Sequence, residues 1–308
     1  MPDNNKSLVY IAAIAYALIT GLSFLFTKMA LTVANPADIL AHRFTAAFIG
    51  LLIPILFKWV KLDLDKERIR KVIPLAILYP LLFFGFQTTG LQYATSSEGG
   101  ILLASSPVFT MILASYFLKE ESAMLQKISV IISVLGVIYI TLMKGAAFEL
   151  NNILGIVLLL LSALSMSGYS VLARVLTRDF SSTELSYIMV SISFMVYNAI
   201  AITRHFIGGT IDRFLLPFTN INFVIAIVYL GILSSLGTSL LTNYILSKIE
   251  ASRMSVFSNL GTVISIIAGV VFLKEDIYYY HIIGSILIVG GVIGTNYFKK
   301  DVCEIEEG

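Results

Sequence analysis

Ten apolar runs follow one another along the 308 residues, separated by short polar links. They cover residues 8–27, 38–57, 72–92, 99–118, 126–143, 153–173, 185–204, 222–246, 254–273 and 278–298. A helix needs about 20 mostly apolar residues to cross a bilayer. Lipid offers the backbone no outside hydrogen-bond partner, so the pattern predicts helices throughout. The polar links at 92–97 and 247–252 are short and predict antiparallel hairpins of neighbouring helices. The expected fold is an all-α multi-span membrane protein with ten transmembrane helices.

Composition works mainly by exclusion. Apolar residues make up 57% of the chain and charged residues 13%, where an average soluble domain carries about 25% charged residues. A soluble enzyme, a disordered chain and a nucleic-acid module are excluded, because the apolar surface exceeds what a polar shell could cover. Ala15-Tyr16-Ala17 resembles a signal cleavage site, but the apolar run continues to Phe26, so it is expected to stay as a span. The lone cysteine, Cys303, rules out a disulfide within the chain. No His, Cys and carboxylate spacing suits a metal, and no Walker-type loop is present, so no cofactor is expected.

Charge sets the expected orientation. With a cytoplasmic N-terminus, 15 basic residues fall on the inner links and 6 on the outer ends. This follows the positive-inside rule and predicts cytoplasmic termini in the cell membrane. The cluster at 58–71 supplies most of the bias and could also attract anionic lipid.

The chain repeats itself. Residues 91–144 set against 246–299, an offset of 155, match at 15 of 54 positions. Phe117-Leu118-Lys119-Glu120 meets Phe272-Leu273-Lys274-Glu275, and Gly136-Val137-Ile138 meets Gly291-Val292-Ile293. At an offset of 146, Ala17-Leu18 meets Ala163-Leu164 and Lys28 meets Arg174. The second half is therefore about nine residues longer between its second and third spans, at 205–221. Two units are expected, 1–144 and 145–308, with five spans each. An odd number of spans inverts one half relative to the other, a common build for secondary transporters.

These residues resemble the ten-helix EamA branch of the drug/metabolite transporter superfamily. Gly21-Leu22-Ser23-Phe24-Leu25-Phe26-Thr27-Lys28 is similar to the family's end of helix one, and Pro36 with Arg43-Phe44 to its second helix. Gly90-Leu91-Gln92-Tyr93-Ala94, Pro107-Val108-Phe109 and Phe117-Leu118-Lys119-Glu120 resemble the third and fourth helices, and Gly136-Val137 the fifth. The second half departs from the pattern: Thr262 stands in place of Pro107, and no arginine matches Arg43. The resemblance implies transport of amino acids, metabolites or drugs through a central cavity, with export as the expected direction.

Candidate chemistry is sparse. Arg43 lies one or two turns from the outer interface beside His42, so the expectation is a side chain snorkelling to the headgroups rather than a gate or anion contact. Glu98 is the proton-coupling candidate, since a desolvated carboxylate binds a proton more readily. Its place at a helix start argues for a cap instead. Lys119-Glu120 and Lys274-Glu275 are expected to form interfacial ion pairs. With few embedded charges, uncharged polar and aromatic groups should recognise the substrate. The candidate cavity residues are Tyr16, Ser23, Gln87, Thr88, Ser105, Ser106, Tyr169, Asn243, Tyr244, Ser258 and Asn259. Gln87 and Thr242 are repeat mates, as are Thr88 and Asn243. The competing reading for each is an interhelical hydrogen bond, worth about 0.6–2 kcal/mol. Pro107 is the hinge candidate, because it removes a backbone bond in mid-span.

The glycines of the last span, Gly284, Gly290, Gly291 and Gly294, suit close helix packing within the chain or in a homodimer. The expected function is alternating-access transport of a small molecule, with membrane lipid as the surroundings and no nucleic-acid partner. Two rivals stand beside it: a translocase of lipid-linked substrates, and an intramembrane enzyme. The enzyme would need a buried nucleophile with a base or a mid-span carboxylate pair, and no mid-span aspartate exists.

Overall fold

The computed structural model describes residues 4–57, 65–117, 123–144, 150–249 and 251–297, and all regular structure among them is helical. Thirteen α-helices form in order: α1 Asn4–Leu31, α2 Pro36–Leu56, α3 Lys66–Ala76, α4 Phe83–Gly90, α5 Ser96–Leu103, α6 Ser106–Phe117 and α7 Met124–Lys144. The second half holds α8 Leu150–Leu176, α9 Ser182–Ile207, α10 Ile221–Val228, α11 Thr238–Lys248, α12 Ala251–Leu273 and α13 Tyr279–Tyr297. Seven helical stretches among the described residues are long and apolar enough to cross a membrane. Three shorter apolar stretches, Met124–Ser133, Leu260–Leu273 and Tyr279–Gly291, lie where the fifth, ninth and tenth spans were expected. Large apolar side chains such as Ile11, Ile49, Ile131, Ile267 and Ile286 are exposed around the outside. Lipid, not water, is the solvent that such a surface suits. The chain is an integral membrane protein.

Local sequence explains several helix starts. Asn35 accepts from the Asp38 backbone N–H at 3.2 Å, and Pro36 opens α2, where a missing N–H costs nothing. Thr95 with Glu98, and Ser181 with Glu184, form reciprocal capping boxes at α5 and α9. The fourth span breaks after Leu103 and resumes at Ser106, with Pro107 in the first turn of α6. Its repeat mate Thr262 keeps a backbone N–H, and α12 runs unbroken.

The third span is kinked within Ile77–Leu82, where Tyr79 leaves helical backbone angles, and the eighth contains a wide turn, Tyr229–Gly237. The offset of 155 carries 77–82 onto 232–237, so both repeats depart from a regular α-helix in the same register. A wide turn such as that of the eighth span is frequent at functional sites.

Helix packing follows the inverted repeat. The crossing of α1 on α12 places Gly21 against Gly261, with no room at Gly21 for a Cβ beside the Gly261 carbonyl. The repeat mates of those two residues are Ser167 and Ser106, on the crossing of α8 with α6. There the Ser167 hydroxyl donates to the Ser106 carbonyl at 2.8 Å. One crossing closes on two glycines and the other on two serines. Helix α13 packs against α7, with Gly291 seated on the backbone at Ser129 and Ser133. The contact explains Gly291 within one chain.

Candidate functional site

Two small cavities meet at Tyr16, on the inner face of α1. Tyr16, Ser23, Tyr79, Gln87, Ser234 and Thr238 line much of the first, and Tyr16, Phe24, Ser106, Met166 and Thr262 much of the second. Their atom-free space is about 230 and 310 Å³, and each has room for about one water molecule. The walls come from both halves of the chain.

Of the sequence candidates, Tyr16, Ser23, Gln87 and Ser106 come together on these walls. The Ser23 hydroxyl donates to its own helix, at the Thr20 carbonyl. Gln87 is 1% exposed, and neither its amide nitrogen nor its oxygen has a hydrogen-bond partner among the described residues. The hydroxyls of Thr88 and Ser106 are likewise buried without one. Ser105 donates to the Leu102 carbonyl at 2.6 Å and serves the helix break.

Tyr169 and Asn243 are joined to each other. The Tyr169 hydroxyl donates to Asn243 Oδ1 at 2.7 Å, and Asn243 Nδ2 donates to Ser186 Oγ at 3.0 Å. The repeat mates Thr88 and Asn243 thus have different surroundings, one unpartnered and one fully engaged. Removing the Tyr169 hydroxyl leaves a buried Asn243 oxygen without its donor. Tyr169→Phe is expected to lower stability by about 1–3 kcal/mol in a thermal unfolding measurement. An unchanged melting temperature would show that the bond contributes nothing. Tyr244 is half-buried against the core and away from the walls. Ser258 and Asn259 lie in α12, but their side chains fall outside those described.

Arg43 corrects the expectation that it snorkels to the headgroups. Its side chain is 0% exposed and is the largest fully buried one among the described residues. Nε donates to Ser235 Oγ at 2.7 Å and Nη2 to Ser234 Oγ at 2.9 Å. The guanidinium lies 3.7 Å from the centre of the Phe84 ring, a cation–π contact. Nη1 has no partner, and no carboxylate among the described residues pairs with Arg43. The burial comes from Phe84 on α4 and from Ser234 and Ser235 on the eighth span. The turns Ile211–Arg213 and Leu216–Thr219 of the longer second-half loop bring Phe214 and Phe218 to the neighbouring His42. His42 bonds the Phe214 carbonyl at 2.9 Å and packs on the Phe214 and Phe218 rings.

The two ends are closed by repeat-related contacts. At one end, Lys28 Nζ donates to the carbonyls of Leu91 and Ala94, both at 2.9 Å. At the other, Arg174 Nη1 donates to the Leu246 carbonyl at 2.7 Å. Lys28 and Arg174 are repeat mates, and so are Leu91 and Leu246. Glu98 serves the α5 cap, accepting from the Thr95 N–H at 2.9 Å, with its other oxygen 3.8 Å from His281 Nε2. Glu275 corrects the expected pairing with Lys274: it accepts from the N–H groups of Ser96 and Ser97 and from the Ser97 hydroxyl, at the α5 N-terminus. An ordered carboxylate is stabilised there by the free amides and helix dipole. Lys119-Glu120 lies outside the described residues. The Lys28 end also buries Asp38, which accepts from Arg204 at 2.9 Å and sits 3.1 Å from His205 Nε2.

Comparison with known proteins gives a consistent picture. A profile described as the EamA-like transporter family matches residues 7–142 and 153–297. A Bacillus subtilis (strain 168) protein named "Uncharacterized transporter YcxC" is 51% identical over 296 residues, spanning 96% of this chain and 95% of that protein. An "Uncharacterized transporter" of Archaeoglobus fulgidus is 29% identical over 274 residues, spanning 88% of this chain and 92% of its own. One solved crystal structure superposes with a TM-score of 0.67 over 96% of this chain and 99% of its own. At 18% identity it supports the fold alone.

Proposed function

The chain belongs to the EamA-like transporter family, and from that premise we propose that it is a secondary carrier working by alternating access. Membrane transport is what the family and the named relatives support. The finer reading rests on one observation: a contracted polar cavity lies between two repeat-related closures, Lys28 on Leu91 and Arg174 on Leu246. The two five-span halves, 1–144 and 145–308, are the moving units. Releasing one closure while keeping the other opens the cavity to one side only. The basic-residue count supports the Lys28 end outside and both termini in the cytoplasm of a cell-membrane protein. Export is the direction this reading favours. Pro107, at the break in the fourth span, is where that span would flex.

Purified protein in liposomes tests this. Liposomes loaded with labelled carboxylic acids, amino acids, sugars and nucleosides should release one class faster than empty controls, and excess unlabelled compound outside should accelerate the exchange. A proton gradient should change the rate if Glu98 couples transport, and Glu98→Gln should remove that response. Release of no class above control would overturn the carrier reading.

A further inference from the structure

The carrier's central site holds one buried cation and, among the described residues, no carboxylate to balance it. Each charge in mid-membrane is costly, so a retained one is a functional-site hypothesis by default. Arg43 stands behind Phe84 and Ser234, and both of these line the first cavity. Three of its features point to a ligand. Nη1 is buried with no partner. Gln87, one helical turn beyond Phe84 on α4, presents to the same cavity an amide whose donor and acceptor are both unpartnered. The surrounding wall is otherwise hydroxylic and aromatic: Tyr16, Tyr79, Phe83, Ser234 and Thr238.

We propose that Arg43 and Gln87 form an anion subsite, and that the transported compound is a monocarboxylate with an apolar or aromatic body. This rests on the carrier reading above and deepens it. A guanidinium N–H and an amide N–H are matched donors for a carboxylate. The charge count selects the class. One cation balances one negative charge, so a phosphate dianion would leave a net charge in the membrane. An ammonium group finds no described carboxylate on these walls, so an amino acid has one unmet charge where the corresponding acid has none. The serines at Nε and Nη2 hold the guanidinium in place, and Phe84 fixes its plane.

The test is a thermal-shift series on the purified protein with five probes of one shape: phenylacetate, phenylacetamide, phenethylamine, phenylalanine and phenyl phosphate. Phenylacetate should raise the melting temperature by mass action at concentrations at least tenfold below any of the others. Arg43→Gln should abolish that shift, and Arg43→Lys should restore part of it. Gln87→Leu should weaken phenylacetate about tenfold without lowering the melting temperature of the ligand-free protein, because it removes two unpartnered polar atoms. Equal shifts from the amide or the amine would overturn the proposal, as would no shift from phenylacetate, or a full shift in folded Arg43→Gln. Should Arg43→Gln fail to fold, the wild-type series and Gln87→Leu decide alone. Liposomes that exchange a neutral or cationic solute, with no shift from the acid, would overturn the subsite and leave the carrier standing. An acid shift with no exchange of any solute would do the reverse.

Discussion

Gly231→Ala should cost this protein several degrees of melting temperature, although it adds one methyl group. The new Cβ would stand 2.6 Å from Ala46 Cβ, 2.7 Å from the Arg43 carbonyl and 3.0 Å from the Ala47 nitrogen. Two of those three atoms are backbone, so no side chain can turn aside. Helix α2 would have to move away from the wide turn of the eighth span. Overpacking of this kind costs about 1–3 kcal/mol. The displaced segment carries Arg43, whose bonds reach Ser234 and Ser235 on the same wide turn. The loss should therefore include ligand response as well as stability. Gly290→Ala is the control, since nothing lies within 4 Å of its added Cβ. Thermal unfolding of both variants in detergent decides the matter. Equal melting temperatures for the two would mean that the α2 contact is loose.

The two closures should respond in opposite senses when broken singly. Lys28→Met removes two charge-assisted hydrogen bonds, to Leu91 and Ala94. Arg174→Met removes one, to Leu246. Such bonds contribute about 1.5–3 kcal/mol each. Their loss should shift the open fraction at that end about tenfold or more. The chain's lone cysteine makes this measurable. In a Cys303→Ser background, Thr20→Cys places a thiol on the wall shared by both cavities. A membrane-impermeant maleimide should label it faster from the Lys28 side in Lys28→Met, and faster from the opposite side in Arg174→Met. Labelling that rises from the same side in both variants, or in neither, would remove the closures from the mechanism. Applied to right-side-out and inverted vesicles, the same assay reads which end faces the cytoplasm.

The division between sequence and tertiary structure is visible in particular residues. Membrane insertion, helical spans and an internal repeat follow from local rules, because lipid admits few backbone solutions and apolar runs of sufficient length are unambiguous. The cap role of Glu98, the irregularity at Pro107 and the repeat mates Lys28 and Arg174 are also legible, since each depends on neighbours in the chain or on a fixed offset. What the sequence left open was burial. Arg43 lies near an interface by its distance along α2, whereas its burial depends on Phe84 and on Ser234 and Ser235, about 190 residues later in the chain. Glu275 was assigned to its neighbour Lys274, whereas it sits on the amides of Ser96 and Ser97. Asn243 and Gln87 are both carboxamides in third spans of their repeats. Only the packing of α8 and α9 supplies Asn243 with Tyr169 and Ser186 and leaves Gln87 facing a cavity. Spacing along the chain fixes which residues share a helix. Which polar atom finds a partner is decided by what lies opposite, and that comes from segments far away in sequence.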